Sequence, residues 1–331
     1  MRDTQNGLMF LSCGLLFVSS VTVATAQSVE RQVVVSAVDS DGVPIADLMP
    51  SDIIITEDGI QREILSIRRD TQPKQIALLV DTSQAAGPAI QDFKKAANTF
   101  VESMSEGHKI SIISFGGIPR ILTEVTDAPA KLRDGVGKIF SYANTASYLL
   151  DAVSGSVRGF ERRSASRPVV VILATLGVDY SDADDRGTLD RLKDAGVAMH
   201  AIVLVQSPVG DIETRMGFSR RTDLGLGQTS SQTGVDPIRS STATRNPYQR
   251  DSFKIDRFLQ QGPTQTGGRR RDLQVSMAAE RAVDDLTAQL QNEYLVVYSR
   301  PGMLIPPEQI QVAANRDGFD VRGTPVVIDS E

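Results

Sequence analysis

Three stretches of this sequence are almost wholly apolar: QIALLV at 75–80, PVVVILAT at 168–175 and VAMHAIVLV at 197–205. A strand with no polar face has to be covered on both sides by other elements, which excludes a half-exposed antiparallel sheet and points to a parallel one. The segments between them supply the cover. Ile90, Phe93, Ala97, Phe100, Val101 and Met104 recur at 3.6-residue spacing, as do Leu150, Val153, Val157 and Phe160, while Leu189, Leu192 and Ala195 mark a shorter helix closed by Gly196. KISIISFGG and RILTEVT add a strand pair between the first two helices. Strand and helix in alternation imply an α/β fold, a doubly wound and mostly parallel sheet of Rossmann-like character.

The flanks follow other patterns. RQVVVSAV, DIIIT and IQREILSI, separated by turn signals at Gly42 and at Asp58-Gly59, predict a small N-terminal β unit over 27–72. The main domain is expected over 73–300. Within it, residues 206–274 are rich in Ser, Thr, Gln, Gly and Arg and too long for an ordinary connection, so they are expected to be a flexible insertion. Ala279, Val283, Leu286 and Leu290 form a last helical stripe, NEYLVVYS is expected as the last central strand, and 301–331 as a C-terminal β hairpin turning at Asp317-Gly318.

Residues 1–26 have the pattern of a signal peptide, with an apolar run from Leu8 to Val23 and Ala24-Thr25-Ala26 before Gln27. The expected localisation is secreted or periplasmic, with no integral membrane segment after cleavage; a retained anchor is the alternative. Cys13, the sole cysteine, lies inside that run, so a cleaved chain has no thiol for disulfides, nucleophilic catalysis or metal binding. A net charge of −6 gives no basis for binding nucleic acid, whose phosphates require clustered cations. Arg269-Arg270-Arg271 is expected to be a solvated linker.

In open α/β sheets ligands sit beyond the carboxyl ends of the strands. Three segments should converge there: Asp81-Thr82-Ser83-Gln84-Ala85, the loop at Ser147, and Thr175-Leu176-Gly177. Their order and spacing resemble the von Willebrand factor type A domain over about 75–299. VDSDGVPIADLMPSDIIITEDGIQREI and LTAQLQNEYLVVYSRP resemble its exported bacterial branch, the VWFA-related acidobacterial domain. The resemblance implies a metal-ion-dependent adhesion site built from Asp-x-Ser-x-Ser, a Thr four residues before a helical Asp, and an Asp in a Thr-Asp-Gly turn. Here Ala85 replaces the third ligand of the first element. Ser147 stands for the Thr, with Asp151 at the helical Asp position, and Leu176 replaces the last carboxylate.

Asp81, Ser83 and Ser147 therefore form a degenerate metal site, expected to be weak or unoccupied, because Mg²⁺ takes near-octahedral oxygens including one or two carboxylates. Asp179 is a candidate replacement ligand and completes the expected binding rim of Asp81, Ser83, Ser147 and Asp179. Asp182, Asp184 and Asp185 lack the spacing of a calcium loop and suit a helix N-terminus. His108 and His200 sit in a turn and an apolar strand, and no Gly-x-Ser-x-Gly elbow, zinc signature or phosphate loop is present. The expectation is a non-enzymatic module with a protein partner and no cofactor. Weak Mg²⁺ or Mn²⁺ dependence and a metal-assisted envelope enzyme are the alternatives.

Overall fold

A computed structural model describes residues 28–205, 247–302, 307 and 309–326; the expected signal peptide lies outside them, as does most of the expected insertion. The central sheet contains β5 (Gln75–Val80), β6 (Lys109–Ser114), β7 (Arg120–Thr126), β8 (Pro168–Thr175), β9 (Ala198–Leu204) and β10 (Arg270–Leu273), in the order β10-β9-β8-β5-β6-β7. All neighbours pair in parallel except β6 and β7. Side chains alternate between two cores. Ile76, Leu78 and Val80 face one with helices α1 (Ile90–Met104) and α2 (Pro129–Gly137), while Ala77 and Leu79 face the other with α3 (Leu149–Arg162) and α4 (Asp185–Asp194). The two-sided apolar strands are thus covered on both faces, as the sequence requires.

Two more helices complete the layers: α5 (Pro247–Thr266) and α6 (Ala279–Gln291). Helix α5 and strand β10 fall inside the expected insertion, so its last part is ordered. Ile255, Phe258 and Leu259 fit helical spacing and are buried on the α3 and α4 side. In the sequence, the surrounding Ser-, Gln- and Arg-rich residues hid the helical spacing of Ile255, Phe258 and Leu259.

The flanking strands form two antiparallel sheets. β1 (Ser28–Asp39), β4 (Ile64–Arg69), β11 (Tyr294–Pro301) and β13 (Phe319–Pro325) run in the order β13-β1-β11-β4; β2 (Ile53–Glu57), β3 (Ile60–Arg62) and β12 (Ile310–Ala314) run β12-β2-β3. Val33, Val35, Ile53, Ile55, Val296, Tyr298 and Val321 share one core between them. Asp58 and Gly59 both have positive φ in the β2–β3 turn, as the Asp-Gly hairpin signal requires.

Two expectations are corrected here. The segment expected as the last central strand is β11, which pairs with β1 and β4; Tyr294, Leu295 and Val296 at its start are apolar and buried on both faces, a pattern that reads like a central strand, and only the pairing puts it in the flanking sheet. The edge position in the central sheet is taken by β10. The expected C-terminal hairpin is a crossover, because β12 pairs with β2 while β13 pairs with β1. Each has a single apolar face, and both faces reach the same core from opposite sheets. The α/β body of 75–291 is therefore inserted between β4 and β11 of the flanking β unit.

Candidate functional site

Strand β5 delivers Asp81 to the carboxyl edge of the sheet, where the strand order changes direction. Asp81 is fully buried. Its Oδ2 accepts hydrogen bonds from the amide and hydroxyl of Thr175 at 3.1 and 2.6 Å, and its Oδ1 accepts the Ser83 amide at 2.8 Å. Thr175 ends the adjacent strand β8, so the carboxylate ties two neighbouring strands together. Ser83 is buried and precedes a short 3₁₀ turn over Gln84–Ala89.

Thr82 links this loop to the next. Its hydroxyl accepts the Gly116 amide at 3.0 Å and its carbonyl accepts the Tyr142 amide at 3.0 Å. Gly116 has no room for a side chain, since a Cβ there would lie 2.1 Å from the Thr82 carbonyl carbon. Ser147 bridges to both Gly116 and Asp179. The loop after β8 also presses on position 85, where a Cβ added to Gly177 would stand 3.3 Å from the Ala85 Cβ.

Ser147 and Asp179 meet directly, with the Ser147 hydroxyl donating to Asp179 Oδ1 at 3.1 Å. The same oxygen accepts the Leu149 amide at 2.7 Å, so Asp179 caps the start of α3 from outside the helix. Burial pushes the Asp179 carboxyl above its ordinary value, outweighing the hydrogen bonds from Leu149, Ser181 and Ser147 that favour the charged form. Asp151, at the expected position of the helical carboxylate, accepts the Ala183 and Asp182 amides at 3.0 and 3.2 Å. Leu176 packs against the core on the α3 and α4 side.

The four rim residues thus form two pairs, Asp81 with the Ser83 amide and Ser147 with Asp179, joined through Thr82 and Gly116. Thr175 was visible in the sequence as part of a loop, but its role as the donor to Asp81 was not; a Thr at the end of the strand beside Asp81 was the available signal. Among the described residues no three His, Cys, Asp or Glu side chains cluster as a metal site.

The remaining candidates lie elsewhere. Asp184 accepts the Gly187 amide at 2.8 Å and caps α4, as expected of that acidic loop. His200 is buried in β9, where its Nδ1 accepts the Arg269 amide at 3.2 Å; burial first, then Arg269 and Lys74, lower its pKa to about 3. His108 Nδ1 accepts the Lys74 amide at 3.1 Å. The arginine run is not a solvated linker. Arg269 donates to the Asp320 carboxylate and carbonyl, and Arg270 pairs with Asp256 at 2.8 Å, both largely shielded from water. They line a cleft of about 510 Å³ between β10, α6 and the β13 end of the flanking unit, away from the rim.

An open, mostly parallel α/β sheet with three strand-end loops knitted around a buried aspartate places the fold among doubly wound α/β domains. Residues 76–177 match the family model described as von Willebrand factor type A domain, and the chain carries such a domain. No curated protein matches the sequence significantly. Among solved structures, a von Willebrand factor type A protein from Catenulispora acidiphila is 11% identical, with 83% of this chain and 72% of that one covered at a TM-score of 0.47. Proximal thread matrix protein 1 from the mussel byssus is 13% identical over 71% of this chain at 0.46, and the match spans only 49% of the mussel protein. An aerotolerance-related membrane protein from Bacteroides fragilis is 14% identical over 65% of this chain and 98% of its own at 0.42. These TM-scores lie below 0.5, so the family match alone carries the assignment.

Proposed function

We propose that this chain is an exported, non-enzymatic protein-interaction module whose rim holds a partner without a bound cation. The engagement of Asp81 carries the reading. A divalent ion of the Mg²⁺ type needs several oxygens free to turn toward it, usually with one or two carboxylates. Both Asp81 oxygens already accept protein donors, Asp151 accepts two backbone amides, and Asp179 is committed to the start of α3. The residues present do not fit the ion. Domains of this family commonly mediate protein–protein contact, which supports the interaction role. Export is supported by the N-terminal pattern and by the resemblance of the flanks to an exported bacterial branch. Among the described residues no helix is long and apolar enough to cross a membrane.

The test uses the full chain in cells, with a photoreactive phenylalanine analogue at Tyr180, an exposed rim residue, or at Ile60, exposed on the flanking β unit. Cross-linking to a discrete partner from Tyr180, undiminished by EDTA, is the expected result. Cross-linking from Ile60 alone, or loss of the Tyr180 product in EDTA, overturns the proposal.

A further inference from the structure

One side of the rim is unusually apolar for a surface. Ile118 is 77% exposed, Ile121 59%, Phe140 53% and Tyr142 42%. Ile118 lies in the β6–β7 turn, Ile121 on β7 itself, and Phe140 and Tyr142 in the loop before α3; the turn and the loop are fastened to each other and to the Asp81 loop, the Tyr142 amide donating to Thr82, Gly117 to Ala146 and Tyr148 to Phe115, at 2.8 to 3.0 Å. The Thr145 hydroxyl closes its own turn onto the Tyr142 carbonyl at 2.8 Å. Large apolar side chains held outward on pinned backbone lose little freedom on binding, which favours a contact surface.

Two cations belong to the same patch. Lys94 Nζ stands 4.5 Å from the centre of the Phe140 ring and the Arg120 guanidinium 5.6 Å from that of Tyr142. Among the described residues neither makes an ion pair, whereas nearby Lys138 is paired with Asp134. Lys94 Nζ also donates to the Gly137 carbonyl at the end of α2 at 2.8 Å, and two positive charges with no carboxylate partner among the described residues, on a chain of net charge −6, select for an acidic partner that also carries apolar groups. The edge strand β7, which carries Arg120 and Ile121, has an irregular register against β6, and such irregularity disfavours recruitment of another strand. Side-chain docking remains.

We propose that Ile118, Ile121, Phe140 and Tyr142, with Lys94 and Arg120, form the partner-binding patch of this rim and that the patch takes an acidic protein segment bearing large apolar side chains. The inference rests on the cation-free rim function proposed above and assigns its contact chemistry.

The test measures fluorescence anisotropy of three labelled twelve-residue peptides against the full chain: Glu and Asp alternating with Phe and Leu, the same with Lys for the acids, and the same with Ser for the apolar residues. Only the acidic apolar peptide should bind, equally well in EDTA. Phe140→Ser should weaken it about tenfold, and Arg120→Glu should weaken it at least as much while raising affinity for the lysine peptide. Thermal melting of both variants should match the wild type, because both side chains are exposed. Unchanged binding in both variants, with loss on Tyr180→Arg, discards the patch but keeps the rim. Absence of binding by all three peptides, while the Tyr180 cross-link persists in cells, does the same. Binding lost in EDTA discards both proposals. Self-association of the chain that Phe140→Ser removes would identify a second copy as the occupant and overturn the acidic segment.

Discussion

At the amino end of the central sheet, Lys74 meets Glu293 at 3.1 Å and Arg167 meets Asp70 at 3.1 Å, all four nearly sealed from water. At the carboxyl end Asp81 and Asp179 are similarly buried, but among the described residues their partners are amides and hydroxyls rather than cations. The amino-end residues sit where the chain passes between layers: Asp70 follows β4, Lys74 precedes β5, Arg167 precedes β8 and Glu293 precedes β11. Their ion pairs lock the flanking β unit onto the α/β body. The carboxyl-end carboxylates instead organise loops around themselves. Charge serves attachment at one end and loop shape at the other.

The largest effect should come from breaking the amino-end lock. Lys74→Met leaves the Glu293 carboxylate buried without its partner and should cost about 3–5 kcal/mol in urea unfolding. Replacing both, as Lys74→Met with Glu293→Leu, should recover most of that loss, because the pair's desolvation disappears with it. A single variant within about 1 kcal/mol of wild type would erase the contrast between the ends.

Asp81→Ala tests the other end and should cost less, about 2–4 kcal/mol, since it strands buried neutral donors of Thr175 and Ser83 rather than a charge. Asp81→Asn keeps an acceptor for Thr175 and should fall between the alanine variant and wild type. Equal losses for Ala and Asn would mean that the negative charge, rather than hydrogen-bond acceptance, holds these loops.

A smaller effect appears only in its pH dependence. Burial raises the folded-state pKa of Asp179, so the stability linked to its protonation is present below the ordinary value near 3.8 and is lost as pH rises through the raised value. At neutral pH its ionised form therefore carries a penalty. Wild type should gain stability relative to Asp179→Asn as pH is lowered from 7 toward 4, measured by urea unfolding at each pH. Parallel curves would show that the capping hydrogen bonds fully offset burial.

The body of the fold was legible because apolar runs such as 75–80 and 168–175 leave a strand no exposed face. What stayed hidden depended on partners distant in sequence. Strand β10 is four residues long and three of them are charged; charge on an edge strand guards against unwanted pairing and removes the pattern that identifies strands. The continuous apolar start of β11, buried on both faces, reads like a central strand, and only its pairing with β1 shows which sheet it joins. At the rim, Asp81, Ser83 and Ser147 were expected from the family resemblance and Asp179 as a replacement ligand, whereas the commitment of each oxygen could not be read. Local sequence says that Asp151 begins a helix face; only the fold shows its carboxylate turned to the amides of 182 and 183.

The smallest expected effect is zero, and it separates the two ends most directly. Addition of 5 mM Mg²⁺, Mn²⁺ or Ca²⁺ to the full chain should release no binding heat and leave the melting temperature unchanged. Any ligand that binds only the folded state raises stability by RT ln(1 + [L]/Kd), so a 50 μM site would add about 2.7 kcal/mol at that concentration. An ion reaching Asp81 would have to share Oδ1 with the Ser83 amide or displace a Thr175 donor from Oδ2, where two hydrogen bonds are already accepted. A saturable heat that disappears in Asp81→Ala would show that those donors yield to a cation. The carboxyl end would then, like the amino end, be a place where buried carboxylates are neutralised by positive charge.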